Sequence, residues 1–242
     1  ERRRLDRMKD QFIATISHEL RTPLTSISGS LGLLAGGATG PMPEKAANLL
    51  DNAKRNSERL ASLINDLLDM EKLVSGKMPI TPDTQALNPI LSEALESMTH
   101  YGDRCGIALQ LQTISDELIV HVDNARLQQA LTNLISNAVK FSPEESAVEI
   151  TTQRTDGLVT IRVRDHGPGV DASFQPMLFS RFAQADASDT RQLPGTGLGL
   201  AITREIVEAM DGSVLYRDAE GGGSAFLVLS FQEKTAQAFA ND

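Results

Sequence analysis

From Leu5 the apolar positions Met8, Phe12, Ile16, Leu20, Ile27, Leu31 and Leu34 recur at steps of three or four residues, or multiples of them. That spacing predicts one long helix with a single apolar stripe. The stretch AGGATGPMP, residues 35 to 43, ends it, because clustered Gly and Pro punctuate helical patterns. A second stripe, Ala46, Leu49, Ala53, Leu60, Leu63, Leu67 and Met70, predicts another helix from Glu44 to about Val74. Two helices with one narrow stripe each cannot bury their apolar faces alone, whereas two such hairpins close a four-helix core. A homodimer is therefore expected from packing.

Beyond GKMPITPD, residues 76 to 83, the texture becomes short strands alternating with helices. Asn88-Pro89 reads as an N-cap followed by Pro at the first helical position, opening a helix to about His100. IALQLQ and LIVHV read as strands, and Asp123 as the cap of a helix through Lys140. AVEITTQR and LVTIRVRD alternate as a hairpin around Asp156-Gly157. A loop-rich stretch from Asp171 to Pro194 precedes a helix from about Leu198 to Met210, and SVLYRD with SAFLVLSF completes a sheet. The expected organisation is a helical hairpin over 1–75, a linker over 76–86, an α/β sandwich over 87–235 and a tail over 236–242.

Composition narrows the chemistry. Of 242 residues 40% are apolar, enough for packed cores, and 23 Lys and Arg face 32 Asp and Glu, a formal charge of -9. That balance argues against a nucleic-acid surface. The single Cys105 excludes an internal disulfide and any multi-cysteine metal site. No apolar run reaches the length of a membrane span, so no membrane contact is expected of this stretch. The chain opens ERRRLDRMKD without an initiator Met, as expected of a fragment with further sequence upstream.

Within FIATISHELRTPLTS, residues 12 to 26, His18 lies roughly 200° around the helix from both Ile16 and Leu20, hence on the wet side. Imidazole, with an ordinary pKa of about 6.5, is largely neutral and nucleophilic at pH 7, and the neighbouring Glu19 can orient it or take its proton. Thr22 shares that face, and Pro23 loosens the helix by removing a backbone donor. A solvated His–Glu pair is the competing reading. In LQQALTNLISNAVKFS, Asn133, Asn137 and Lys140 fall within about 60° of one another on an otherwise apolar helix. The pattern fits a Mg²⁺ ligand and a phosphate-binding lysine, or equally a polar stripe facing water. In VRDHGPGV, Asp165 ends a strand, and Gly167 and Gly169 let a flat ring approach, so the carboxylate suits an exocyclic amine such as adenine's. In PGTGLGLAI, Gly195, Gly197 and Gly199 lead into a helix whose N-terminus can receive phosphate, although glycines also serve ordinary turns. No Walker or dinucleotide-binding pattern is present.

HELRTP at 18–23, NLISNAVKF at 133–141, DHGPG at 165–169, LFSRF at 178–182 and GTGLGL at 195–200 follow one another in the order found in sensor histidine kinases of two-component systems. The chain resembles that family over nearly its whole length. The resemblance implies a dimerisation and histidine-phosphotransfer bundle followed by a Bergerat-type ATP-binding α/β sandwich. It implies that His18 is the phosphoacceptor, Glu19 its acid-base partner and Thr22 a residue positioning water for receiver dephosphorylation. Asn137 would hold Mg²⁺ with Asn133 beside it, Asp165 would read adenine, and Lys140 and Arg181 would contact phosphates. Phe141, Gly167, Gly169, Phe182, Gly195, Thr196, Gly197, Leu198 and Gly199 would complete the ATP site. The implied partners are a second copy, an upstream sensor domain and a response-regulator receiver domain, in a cytoplasmic setting. One departure is His166, where many relatives carry Asn. A non-catalytic ATP-binding scaffold and a gyrase- or chaperone-type ATPase share the nucleotide fold, but neither explains HELRTP on an exposed helix face. The stretch 171–194 would be a lid over ATP, and the linker at 76–83 its hinge.

Overall fold

The computed structural model describes residues 2–38, 40–114, 117–184, 196–219 and 225–233, with the backbone alone described for 2–18, 74, 225–228 and 230. The chain divides into two compact units, Glu1–Met78 and Pro79–Asp242.

The first unit is a hairpin of α1 (Arg2–Ala35) and α2 (Glu44–Val74). α1 continues through Pro23 without interruption. The hairpin's own buried cluster is Leu24, Ile64 and Leu68, with Ala61 packed against it. None of these four lies on the stripes read from the sequence. Of the stripe residues, Leu20, Ile27, Leu49, Leu60 and Leu67 stay exposed, Leu49 by 70%. Among the described side chains each helix thus carries two adjacent apolar strips: Leu24, Ile64 and Leu68 pack within the hairpin, and of the stripe read from the sequence only Met70 is buried. Polar ties reinforce the used side: Arg21 donates to Asn65 Oδ1 at 2.9 Å, and the hydroxyls of Ser28 and Ser57 lie 2.7 Å apart.

In the second unit β1 (Asp83–Ala86) pairs antiparallel with β3 (Ile119–Val122). The residues read as the end of the linker are therefore sheet, paired within this unit. α3 (Leu87–Cys105) starts at Leu87 with Ala86 as its cap, so Asn88 sits inside the first turn and does not cap it. Its Oδ1 is buried with no hydrogen-bond partner. Pro89 is tolerated there because first-turn donors have no intrahelical acceptor. The helix runs on past His100 to Cys105.

The main sheet has the order β2 (Ala108–Gln112), β4 (Ala147–Thr155), β5 (Leu158–Arg164), β7 (Ala225–Gln232), β6 (Ser213–Asp218). β2 and β4 are parallel and the other neighbours antiparallel. Register lines up Thr152, Ile161, Leu229 and Val214 across four strands. All four are buried, so this face carries the core. Asp156 and Gly157, at φ 51° and 77°, make the tight β4–β5 turn that their sequence predicts. α4 (Asn124–Phe141) packs against both α3 and α5 (Gly199–Glu208). Leu127, Leu131, Leu134 and Ile135 bury its apolar side.

Asp123 sets where α4 begins. Its carboxylate accepts from the Arg126 N–H at 3.1 Å, and its other oxygen accepts from the Thr81 N–H at 2.9 Å. Burial pushes the Asp123 carboxyl up, but the bonds from Thr81 and Arg126 together outweigh it and hold the group below the ordinary carboxylate value. A depressed folded-state pKa stabilises the fold above the unfolded value of 3.8, and that contribution is lost as pH falls through the folded value. Asp123→Ala is therefore expected to cost the second unit about 1–2 kcal/mol near pH 7 and to weaken the dependence of stability on pH below about 4. Both tyrosines, Tyr101 and Tyr216, lie in this unit, so urea unfolding of the full chain followed by tyrosine fluorescence reads it directly. An unchanged midpoint at pH 7 would contradict the capping role.

Candidate functional site

The polar residues of α4 lie on the side that its core leaves open. Asn133, Asn137 and Lys140 are half-buried between the fully buried Leu134, Ile135, Ala138 and Val139. Three contacts then draw the separated motifs of the sequence to this helix. The first runs from the Asn133 side-chain amide to the Gly199 carbonyl at 3.2 Å, which ties the middle of α4 to the first turn of α5.

The second contact is at the C-terminal end of α4. Asp165 is buried immediately after β5 and accepts from the Gly167 N–H at 2.8 Å, closing a tight turn. A Cβ at Gly167 would come within 2.6 Å of the Phe141 carbonyl oxygen, so only glycine lets this turn rest on the helix end. Phe141 itself is exposed, with the Lys140 ammonium 4.9 Å from its ring centroid. The hydroxyl of Ser142, the residue after Phe141, is buried with no hydrogen-bond partner, leaving polar capacity beside the turn.

The third contact joins the LFSRF turn to the glycine motif. Gly197 has φ 70°, and a Cβ there would meet the Phe182 backbone at 2.8 Å. Phe182 is 63% exposed and holds φ 59°, a left-handed conformation that costs a non-glycine residue about 1–3 kcal/mol. Thr196 Oγ1 accepts from the Leu198 N–H at 3.1 Å, and Leu198 is buried just ahead of α5. The N–H groups of the first turn of α5 thereby start beside Asn133. Arg181 is exposed in the turn before Phe182. Gly195 lies outside the described residues, as does 185–194 of the stretch read as a lid. The described part of that stretch contains a 3-10 turn at Gln175–Met177.

His166 departs from the adenine-site pattern in a specific way. Its Nε2 is 3.2 Å from Glu149 Oε1, and the other Glu149 oxygen is 3.6 Å from Arg164. Two carboxylate oxygens on β4 thus engage two successive basic side chains flanking Asp165 along the chain. The turn is also held beyond Gly169 by Tyr216, which no motif singles out. A lone tyrosine in a strand pattern reads as an ordinary half-buried position, so no sequence signal marked it.

In the first unit α1 is helical across residues 18 to 22, and His18 and Thr22 stand one turn apart on it. Glu19 and Thr22 are exposed, while the His18 side chain lies outside the description. The nucleotide-motif residues therefore converge in one unit, and HELRTP belongs to the other. Among the described residues no three His, Cys, Asp or Glu side chains cluster as a metal site. No described helix is long and apolar enough to cross a membrane.

The His Kinase A (phospho-acceptor) family model matches residues 8–76, and that of the histidine kinase-, DNA gyrase B- and HSP90-like ATPases matches 122–235. The chain is 36% identical over 223 residues to the circadian input-output histidine kinase CikA of Synechococcus elongatus, covering 91% of this chain and 29% of CikA. It is 35% identical over 227 residues to the signal transduction histidine-protein kinase BarA of Escherichia coli K12, covering 91% of this chain and 24% of BarA. Full-length ShkA, solved in complex with AMPPNP, is similar with a TM-score of 0.76 and 30% identity over 93% of this chain and 46% of that one. The chain spans less than a third of the length of these two curated relatives. With both matched regions in the same order as the two units, the chain belongs to the sensor histidine kinases.

Proposed function

We propose that this chain is the kinase core of a two-component sensor, which binds ATP in its second unit and phosphorylates His18 in its first. The observation that carries the nucleotide half is the gathering of Asn133, Asp165, Phe182 and the Gly197–Gly199 turn around one helix through the three contacts described. Asp165 would accept the 6-amino group of adenine, and its bond from Gly167 fixes the carboxylate for that task. Lys140, Arg181 and the first-turn N–H groups of α5 would face the phosphates. The donor set fits Mg²⁺ carried with the nucleotide: Asn137 offers a neutral, hard amide oxygen that adds no repulsion beside a polyphosphate, and Asn133 stands one turn away. When bound, the ion would neutralise charge on the β- and γ-phosphates.

The His18 imidazole nitrogen would attack the γ-phosphorus, forming the N–P bond as the bond to the β,γ-bridging oxygen breaks and ADP leaves. Glu19 would take the imidazole proton. The phosphoryl group would then pass to an aspartate of a receiver domain, and as the N–P bond breaks Glu19 would return the proton to the imidazole, regenerating neutral His18. The exposed stripe of the hairpin supports a homodimer, and the linker after residue 75 would let the ATP-binding unit reach His18. A cytoplasmic setting, with a sensor domain upstream, fits the need for ATP and for an input.

His18→Gln is expected to keep ATP binding and abolish acid-labile, alkali-stable phosphorylation after incubation with radiolabelled ATP. Wild-type labelling of the variant would overturn the nucleophile. Phosphate release without any phosphoprotein in the wild type would instead favour an ATPase.

Asn137→Asp brings negative charge toward the triphosphate and Asn137→Ala removes the amide oxygen. Either should lower autophosphorylation by at least about a hundredfold at low millimolar Mg²⁺, roughly 2.7 kcal/mol, with the dimer intact in sedimentation. Unchanged rates would place the ligand elsewhere.

Thr22→Ala addresses the reverse reaction. A hydroxyl one turn from His18 can hold the water that attacks a receiver's phosphoaspartate. The variant should autophosphorylate and transfer within a few-fold of wild type, while receiver dephosphorylation with ADP present slows at least about tenfold, some 1.4 kcal/mol. A parallel fall in autophosphorylation would point to helix damage and defeat the role.

A further inference from the structure

The turn that carries Asp165 is anchored at its far end by three side chains outside every nucleotide motif. The Val170 N–H donates to the Tyr216 hydroxyl at 3.0 Å, and that hydroxyl donates in turn to Asp218 Oδ1 at 2.6 Å. Gln175 donates from one amide nitrogen to the Val170 carbonyl at 3.0 Å and to Asp218 Oδ2 at 3.1 Å. Both backbone polar groups of Val170 are therefore held, and both oxygens of Asp218 are used. The network spans the turn, the 3-10 turn at Gln175–Met177 and β6.

The network also lies in ordinary contact range of the glycine end of the adenine motif. Gly169 has φ 76°, and a Cβ there would lie 3.7 Å from the Tyr216 hydroxyl and 3.9 Å from Asp218 Oδ1. Only a protonated hydroxyl can accept from Val170 and donate to Asp218 at once. Burial first, and then the bond to Asp218 and the charges of Asp218 and Asp165, push the Tyr216 phenol up to about 12, against the Val170 N–H, which opposes them. The group stays neutral through the physiological range.

We infer that Tyr216, with Gln175 and Asp218, is a positioning residue for adenine recognition: it clamps Val170 and thereby holds the Asp165–Gly169 turn in the geometry in which Asp165 meets the 6-amino group. The clamp grips one end of the turn, and the bond from Gly167 to Asp165 with the fit of Gly167 on Phe141 grips the other. Releasing Val170 leaves the carboxylate in place on average but lets the turn fluctuate. The loss then falls on the adenine-specific contact and spares contacts to the phosphates. This inference rests on the reading of Asp165 as the adenine residue.

The test is calorimetric titration of the whole 242-residue chain, with Mg²⁺ present, using ATP and purine riboside triphosphate, which lacks the 6-amino group. Wild type is expected to prefer ATP, and Asp165→Asn to lose the preference. Tyr216→Phe keeps the ring and removes the hydroxyl. It should weaken ATP about tenfold, weaken purine riboside triphosphate less than about twofold, and raise the KM for ATP with kcat within about twofold. Gln175→Met, which keeps the bulk and removes the amide, should act in the same direction. Equal losses for both nucleotides would reveal a merely structural role and overturn the inference, as would unchanged ATP affinity in Tyr216→Phe. If Asp165→Asn retains the wild-type preference, the adenine reading itself fails and the inference falls with it.

Discussion

Helix α4 has to be buried and polar at once, and the second unit is built around that requirement. Its apolar side fills the space between α3 and α5, with Leu127, Leu131 and Leu134 wholly inaccessible. Its other side must stay polar, although asparagine is a poor helix former and an unpartnered buried amide is costly. The fold answers by bringing a backbone carbonyl, that of Gly199, to Asn133. The bond satisfies the amide and also fixes where α5 starts, and so where its unpaired first-turn N–H groups lie. Asp123 supports the arrangement from the other end, because a helix that frays or slips at its N-terminus would rotate Asn133 and Asn137 off the open side.

A site assembled from segments so far apart in sequence needs close backbone approaches, and the sequence marks these with glycine. Gly167 rests against the Phe141 carbonyl, and Gly197 against the backbone of Phe182. The positive φ of Phe182 is a local strain of the kind that persists only where the surroundings determine the conformation. Hydrophobic packing alone would not select such a backbone, which is why the strain belongs with the site and not with the core.

The legibility of the sequence follows from how local each signal is. The Asp123 cap and the Asp156-Gly157 turn were readable because each involves a few adjacent residues whose chemistry admits few alternatives. Asn88-Pro89 misled for the same reason: the local pair suits an N-cap, but pairing of Asp83–Ala86 with β3 carries the chain directly into the helix at Leu87. The hairpin core of Leu24, Ile64 and Leu68 escaped because a helical period identifies a stripe without saying which of two adjacent strips meets which partner. The clamp on Val170 was invisible, since it joins residues 46 positions apart through single hydrogen bonds and no periodicity reports such a pairing. The gathering of the site around α4 was implied only by resemblance.

The same division of strips in the hairpin explains how α1 can be both steady and accessible. Among the described residues the internal cluster is small, three buried residues and one partner set against the ordering of two helices exceeding thirty residues each. Exposed Leu20, Ile27, Leu49 and Leu60 therefore represent stabilisation still to be gained, and a second copy presents the same strip in return. Burying that strip would order α1 without covering Glu19 and Thr22, since Leu20 lies roughly 100° around the helix from Glu19 and 200° from Thr22. The apolar strip can then be committed to assembly while Glu19 and Thr22 stay exposed on the other side of the helix. Separating those duties by angle on a single helix is a simpler constraint than separating them by domain, and it follows from the 3.6-residue period alone.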